Sequence, residues 1–551
     1  MKNSSPKKGP SFFGKQSITS GAVTIAFFTI LSGLLGLFRD RLFASKFLVS
    51  KIGEVHQSLD VYYAAFFIPD TIYYLIFLGA LAAAFIPVFT SYISKKKEDE
   101  AFYIANSFLN LALLSLIVIS LIIFFLAPIL SKLIAPGFTP EKQRLTASLI
   151  RLMLLSPLFF GISNTAGGIL NSYKRFTIFA IAPCLYNLGI IFGTLAFYQK
   201  WAIYAPAVGV LIGAFLHMII QLGGAYRLGF RWHPIADFRH IAVRKIFKLM
   251  FPRAAALAVD RINRWVFVVI ASTLAIGSVS IINLSNNLQG FPVSFFGIAV
   301  ATATFPFLAE AVSLNQNVEF TKNLSRGLSY ILYLMIPASI LIVLLRVQIV
   351  RIVLGAGHFG WTDTRLTAAC LGIFSLSLFA QGIIPLFCRS FYALQDTLTP
   401  FKLALWTVFV DLLGSLLFTR QFFIEPFLTI LKLKNSLDAR VVGLALAFTL
   451  SSIFYMVLLH KKLKMKIGPL ESRVASTIWK IILASSLMGI FVQGSKYLVG
   501  SVLFLERGIN VFIQFAVAVF IGILVYLFST KKMGVAEAEK IIEKIKNPFK
   551  K

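Results

Sequence analysis

Gly21 to Phe38, GAVTIAFFTILSGLLGLF, is a run of 18 uncharged residues that ends on three consecutive ions, Arg39, Asp40 and Arg41. The run is long enough to enter a bilayer as helix. An ion at its end is a functional signal, because a charge inside hydrocarbon costs about 2.5 to 3.5 kcal/mol on insertion scales. Such runs recur along the whole chain: 58% of the 551 residues are hydrophobic and 14% are charged, which excludes an ordinary soluble domain and gives an all-α, polytopic membrane protein. The basic and polar first twenty residues lead into an apolar stretch too long for a signal-peptide core, so Gly21 onward reads as a retained span.

A window of about 20 residues places fourteen helices near 21–47, 60–92, 103–131, 146–171, 175–198, 203–224, 251–276, 282–312, 327–350, 366–391, 401–423, 439–460, 475–498 and 508–529. An even count puts both termini on one side. Lys and Arg number about 31 on the loops sharing the termini and about 13 on the opposite loops, so the positive-inside rule makes the termini cytoplasmic. The net charge of +31 is then mostly topology. Basic residues spread over short loops offer no folded surface for nucleic acid.

Between the sixth and seventh spans, residues 226–250 mix Arg227, Arg231, Arg239, Arg244, Lys245 and Lys248 with Phe230, Trp232, Ile241, Ile246 and Phe247. That is the composition of a basic amphipathic linker lying on an anionic leaflet. The tail, 531–551, has the same character from Val535 onward.

Ala-Pro-Gly-Phe at 135–138 with Arg-Leu-Thr-Ala at 144–147 recurs 221 residues later as Ala-Gly-His-Phe at 356–359 with Arg-Leu-Thr-Ala at 365–368. GALAAAFIP from Gly79 and GIAVATATFP from Gly297 match near the same offset. Two six-helix lobes follow, 21–225 and 251–460, as parallel repeats, with 475–530 as two additional helices. Transporters of this design bind substrate in a cleft between halves.

The repeat also places ions. The counterpart of Arg39-Asp40 falls on Asp260-Arg261 of the seventh helix. There Arg253, Asp260 and Arg264 lie within about 40° of one face at 100° per residue, a polar stripe suited to a cavity. The competing reading makes 250–264 an interfacial helix, with the span starting at Trp265. For Arg39-Asp40 the competing reading is a structural ion pair. Arginine suits anion binding because its planar fork stays charged and donates two parallel hydrogen bonds to a phosphate.

Asp411 in the eleventh helix is a candidate for a coupling cation or proton. His217 and His358 lack metal-ligand company, and Cys184, Cys370 and Cys388 lack disulfide or zinc spacing, so no metal or cofactor is expected. Prolines and glycines paired between the second helix (Pro69, Gly79, Pro87) and the eighth (Pro292, Gly297, Pro306) suit bending. No P-loop or His-Glu-x-x-His is present, which argues against an enzyme.

GLLGLFRD (33–40), DVYYAAFFIP (60–69), APGF (135–138), GILNSYKRF (168–176) with Ala182-Pro183, and RSFYALQDTLTP (389–400) resemble the MurJ (MviN) family of lipid II flippases, of the multidrug/oligosaccharidyl-lipid/polysaccharide exporter superfamily. The resemblance runs from about 20 to 530. It implies a fourteen-helix transporter in the bacterial inner membrane that carries polyprenyl-pyrophosphate-linked peptidoglycan precursor outward by alternating access. The last two helices would form a groove for the lipid tail. Its partners would be lipid II, membrane lipids and a coupling cation. The family's first-helix pair is kept as Arg39 and Asp40, and Asp60 and Asp396 fall inside the quoted motifs, Asp60 as a further substrate-binding candidate and Asp396 as a further coupling candidate. Three positions where the resemblance implies arginine are Gly33, Tyr73 and Asn287; Arg253, Arg261 or Arg264 is expected to supply the charge instead. Alternatives left open are export of another lipid-linked oligosaccharide or an amphiphilic drug, and a membrane transferase acting on polyprenyl carriers.

Overall fold

The computed structural model describes residues 18–49, 55–78, 80–430, 439–503, 508–539 and 543. Residues 1–17, Gly79 and nearly all of the tail after 539 lie outside them, as do the side chains of 251–253, Arg253 among them. The chain divides into two compact units, Met1–Thr273 and Leu274–Lys551.

The described part of unit 1 is helical: α1 Ile18–Lys46, α2 Leu59–Tyr73, α3 Ala80–Ser94, α4 Glu98–Ile134, α5 Pro140–Met153, α6 Leu155–Ser172, α7 Phe176–Trp201, α8 Tyr204–Tyr226 and α9 Ile241–Ser272. In unit 2 follow α10 Ser278–Pro292, α11 Ala299–Ser313, α12 Asn317–Val353, α13 Trp361–Ser375, α14 Leu378–Ala393, α15 Leu398–Phe418, α16 Gln421–Ile430, α17 Val441–Ile467, α18 Ser472–Val502 and α19 Gly508–Lys532. Each of the fourteen expected windows carries helix. By length and composition, eleven described helices can cross a membrane, or twelve when the pair α13 and α14, bent by 47°, counts as one span. The windows outside this count are the second, part of which lies outside the described residues, and the seventh, which carries Asp260, Arg261 and Arg264. Large apolar side chains such as Phe125, Ile129 and Leu133 on α4 are bare, as lipid-facing residues must be when hydrocarbon is the solvent.

The repeat is visible in element lengths. α2 and α10 have 15 residues each, α3 and α11 15 each, and α4 and α12 37 each. Between the first two of each set lies a π-helical turn, Tyr74–Leu78 in one unit and Val293–Ile298 in the other, so the expected bends are wide turns that leave backbone groups to be satisfied elsewhere. The matched motifs are matched because the same faces are buried: Phe138 with Leu145, Thr146 and Ala147, and Phe359 with Leu366, Thr367 and Ala368. Both turns end on a helix start. Thr139 caps α5 with Pro140 at its first position, and Asp363 accepts from Gly360 N at 2.8 Å to cap α13.

Glycines bring α7 and α8 into backbone contact. A Cβ on Gly189 would lie 2.3 Å from Gly213 Cα, and one on Gly193 2.3 Å from Gly209 Cα. This is a pair of small-x-x-x-small faces, the packing that replaces hydrophobic drive in lipid. Prolines open a second kind of tie. Pro337 has no N–H for the Tyr333 carbonyl one turn back, and the Tyr526 hydroxyl of α19 donates to that oxygen at 2.7 Å. In unit 1, Pro128 likewise frees Phe124 O, which accepts from Arg151 Nε at 3.0 Å.

The linker is tied to the protein from its start. Asn106 and Asn110, one turn apart on α4, bind the backbone of Arg231, His233 and Ile235 at 2.7 to 3.0 Å. The helix then starts at Ile241, and Phe230, Val243 and Ile246 join the core of α3 and α4 around Phe85 and Phe108. Part of the apolar surface is used inside the protein, while Trp232, Phe238 and Ile241 are bare beside the exposed Arg244, Lys245 and Lys248. The start of the tail behaves alike: Val535 and Ala538 are buried in the core of unit 2. The three cysteines are free, two of them buried and Cys388 half-buried.

Candidate functional site

The ion that closes the first span opens on a cavity in unit 1. Arg39 donates from Nε and Nη2 to Asp40 Oδ1 at 3.0 and 2.8 Å, and from Nη1 to Asn187 Oδ1 of α7 at 3.1 Å. Asn187 is itself fixed, donating to Ser32 O and Oγ and to Pro183 O. Asp40 is buried while the Arg39 side chain keeps 22% exposure. The guanidinium borders an open space. That space, about 250 Å³, is lined by Arg39, Phe66, Pro69, Asp70, Tyr73, Ser156, Phe160, Pro183, Tyr186 and His217.

Across the cavity lies a second ion pair. Arg261 of α9 donates from Nη1 to Asp70 Oδ2 of α2, and its Cζ lies 3.7 Å from the centre of the Tyr74 ring. Tyr74 begins the π-turn, so the seventh-helix arginine docks at that turn. Arg261 is buried, and its Nε has no hydrogen-bond partner among the described residues. The third pair is Arg264 Nε with Asp260 Oδ2 at 3.2 Å, both half exposed, one helical turn apart. Each of these three guanidiniums thus holds one carboxylate. The described site is a set of fixed, balanced forks.

The expected residues are distributed as follows. Asp260 and Arg264 share one exposed face, as their spacing implies. Arg261, about 100° from Asp260 around the helix, is the residue that reaches the cavity wall. Asp60 is buried in the first turn of α2, where the helix dipole favours a carboxylate; ten residues of helix, about 15 Å, separate it from Asp70. Tyr73, one of the positions where arginine was expected, lines the cavity with its ring 4.5 Å from Phe160. Asp411 in unit 2 is fully buried and accepts from Ser451 Oγ at 3.1 Å. Asp396 precedes α15, accepting from Thr399 N at 2.9 Å, Thr399 Oγ1 at 2.6 Å and Lys466 Nζ. Burial pushes its pKa up, but the bonds from Lys466 and Thr399 outweigh that and hold it down at about 2.

His217 is a packed imidazole. Ser163 Oγ donates to His217 O at 2.9 Å and lies 2.6 Å from His217 Nδ1. No group of three or more His, Cys, Asp or Glu suited to a metal occurs among the described residues.

The model of the "Lipid II flippase MurJ" family matches residues 52–520. The chain belongs to the MurJ family. A "Probable lipid II flippase MurJ" from Buchnera aphidicola subsp. Acyrthosiphon pisum (strain APS) is 27% identical over 518 residues, 93% of this chain and 97% of the relative. A solved "Lipid II flippase MurJ, inward closed conformation" matches with a TM-score of 0.74 at 24% identity, covering 93% of this chain and 98% of the other. An inward-facing multidrug resistance MATE family transporter of the MOP superfamily matches with a TM-score of 0.62 at 12% identity, covering 85% and 98%. Both structures share the fold. The MurJ family is one of transporters, and this chain is an integral membrane protein rather than an enzyme.

Proposed function

We propose that this MurJ-family chain carries lipid II, the polyprenyl-pyrophosphate-linked peptidoglycan precursor, from the inner to the outer leaflet of the bacterial cytoplasmic membrane by alternating access, with both termini cytoplasmic. The observation that carries the reading is Arg39: a guanidinium at the end of a membrane-spanning run, locked by Asp40 and Asn187 and turned toward a cavity. A diphosphate with a sugar headgroup cannot cross about 30 Å of hydrocarbon unaided. Guanidinium donors replace its water without any bond being made or broken.

Arg39, Arg261 and Arg264 supply the donors, and Arg253, earlier in α9 and with its side chain outside the described ones, stays a candidate. Asp40, Asp70 and Asp260 serve as counter-ions that keep buried arginines tolerable while no anion is bound. When the diphosphate enters, it competes with those carboxylates for the same N–H groups. Binding thereby loosens the Asp70–Arg261 tie between α2 and α9 at the π-turn. Asp60 keeps a structural place at the start of α2. Asp411 is the carboxylate we assign to a coupling cation, which the membrane potential drives with about 2.3 kcal/mol per charge per 100 mV. Asp396 anchors the start of α15 instead.

The test is rescue of a flippase-depleted bacterium. Arg39→Ala and Arg264→Ala should lose rescue at unchanged membrane abundance. Arg39→Lys should recover little, because one ammonium cannot reproduce three bonds in a plane. Full rescue by Arg39→Ala would refute the assignment.

A further inference from the structure

Arg346 on α12 and Lys496 on α18 place two cations against one turn of a membrane-spanning helix. Arg346 Nη1 donates to Val343 O at 2.7 Å and Lys496 Nζ to Leu344 O at 3.0 Å, on adjacent carbonyls. Arg346 is the charged group that acts on Lys496, and among the described residues no carboxylate acts on either. The pair contrasts with Arg39, Arg261 and Arg264, each of which has its aspartate.

Their setting is rigid. Gln514 of α19 donates to Lys496 O at 2.8 Å and accepts from Gln348 Nε2 at 2.9 Å, so three helices are tied beneath the pair. Gly372 of α13 leaves the path of the arginine open: a Cβ there would meet Arg346 Cδ at 2.8 Å.

Depth points to the occupant. α12, with 37 residues, is about 55 Å long and overshoots a hydrocarbon core of about 30 Å. Arg346, seven residues from its end, and Lys496, six from the end of α18, lie about 10 Å inside those ends. That is the level where hydrocarbon gives way to headgroups. Trp361 and Tyr497 are exposed in the same unit, as aromatic side chains at that boundary are. Two like charges held together there, with no carboxylate on either among the described residues, are favourable partners for an anion.

We propose that Arg346 and Lys496 form a site for a lipid-borne phosphate, held where α12, α13 and α18 meet. The two sources of that chemistry are an anionic phospholipid of the bilayer and a polyprenyl phosphate. The inference does not depend on transport: loss of lipid II export in the tests above would leave it standing.

The full chain is reconstituted in nanodiscs of phosphatidylcholine alone, with phosphatidylglycerol, or with a polyprenyl phosphate, and its melting midpoint and co-purified lipid are measured. Wild type should melt higher than in zwitterionic phosphatidylcholine alone, and retain the added lipid, in at least one of the two net-anionic arms. The arm that responds names the source, and a response in both shows selection for phosphate rather than tail. Lys496→Gln and Arg346→Gln should retain about tenfold less, the effect of one charge-assisted hydrogen bond. Lys496→Arg should retain it fully and guards against a folding artefact, and Lys200→Gln serves as an unrelated control. In phosphatidylcholine alone Lys496→Gln should melt no lower than wild type, since it relieves repulsion. Equal lipid retention by wild type and the glutamine variants, or a Lys496→Gln variant that melts lower by the same amount in every nanodisc, would overturn the site.

Discussion

Replacing Asp70 by asparagine isolates the contact that joins the second span to the seventh helix. The Arg261 side chain is 8% exposed and that of Asp70 34%. Removing one partner of a buried pair costs about 3 to 5 kcal/mol, because the other charge stays buried; partial exposure of Asp70 puts the loss near the lower end. The asparagine oxygen still accepts a hydrogen bond from Arg261, which returns about 1 kcal/mol. The Tyr74 ring stays over the guanidinium in both proteins and cancels. The expected net loss is about 2 kcal/mol, or about thirtyfold in the folding equilibrium. Arg261→Met leaves only a partly solvated carboxylate and should cost less. The double variant should therefore be more stable than the sum of the two singles, by about 1 to 2 kcal/mol of coupling. The assay is thermal unfolding of all four proteins in one detergent, followed by the fraction that still elutes as a folded monodisperse peak. An Asp70→Asn variant that melts with wild type, or strictly additive effects, would refute the reasoning.

Three further outcomes follow from the geometry. Gly189→Ala should destabilise by about 1 to 3 kcal/mol through forced separation of α7 and α8, read as a lower melting midpoint, whereas Gly494→Ala, where a Cβ meets open space, should not. Tyr526→Phe should cost about 1 kcal/mol by leaving Tyr333 O without its donor, and adding Pro337→Ala, which restores a backbone N–H to that oxygen, should recover part of the loss. Asp396 has a folded pKa of about 2, below its ordinary 3.8. Its contribution, about 2 kcal/mol at 1.36 per pKa unit, is complete above about pH 4 and is lost as pH falls through 2. Asp396→Asn should flatten melting midpoints across that window, and an unchanged acid profile would contradict the ion pair with Lys466.

Much of the fold was legible because hydrocarbon enforces simple rules. Apolar runs of spanning length gave helices in all fourteen windows, and the Ala-Pro-Gly-Phe and Arg-Leu-Thr-Ala repeats kept their letters because both copies bury the same face. The bends were readable as proline and glycine positions, but their form as π-turns was not, since that depends on which tertiary groups take up the freed backbone. Arg39-Asp40 and Asp260–Arg264 are local pairs, one adjacent and one a helical turn apart, so spacing alone revealed them. Asp70 and Asn187 were missed although both lie close to quoted motifs. Their partners are 191 and 148 residues away, and no periodicity connects such positions. The polar stripe left out Arg261, which lies off the shared face and entered through the repeat, whereas the α2–α9 packing turns that position inward. Basic amphipathic character in the linker was real, but Asn106 and Asn110 on α4, invisible to a composition reading, strap it to the protein.

The central claim is that a locked intramembrane guanidinium serves passage of a diphosphate headgroup. Its most direct test is leaflet accessibility: with the native flippase depleted and this chain expressed, labelled lipid II is challenged by an externally added degrading enzyme. The account predicts cleavage with the wild-type chain and about tenfold less with Arg39→Ala at equal abundance, the effect of losing charge-assisted hydrogen bonds to the diphosphate. Lipid II that stays protected with the wild-type chain, or equal cleavage with Arg39→Ala, would contradict it.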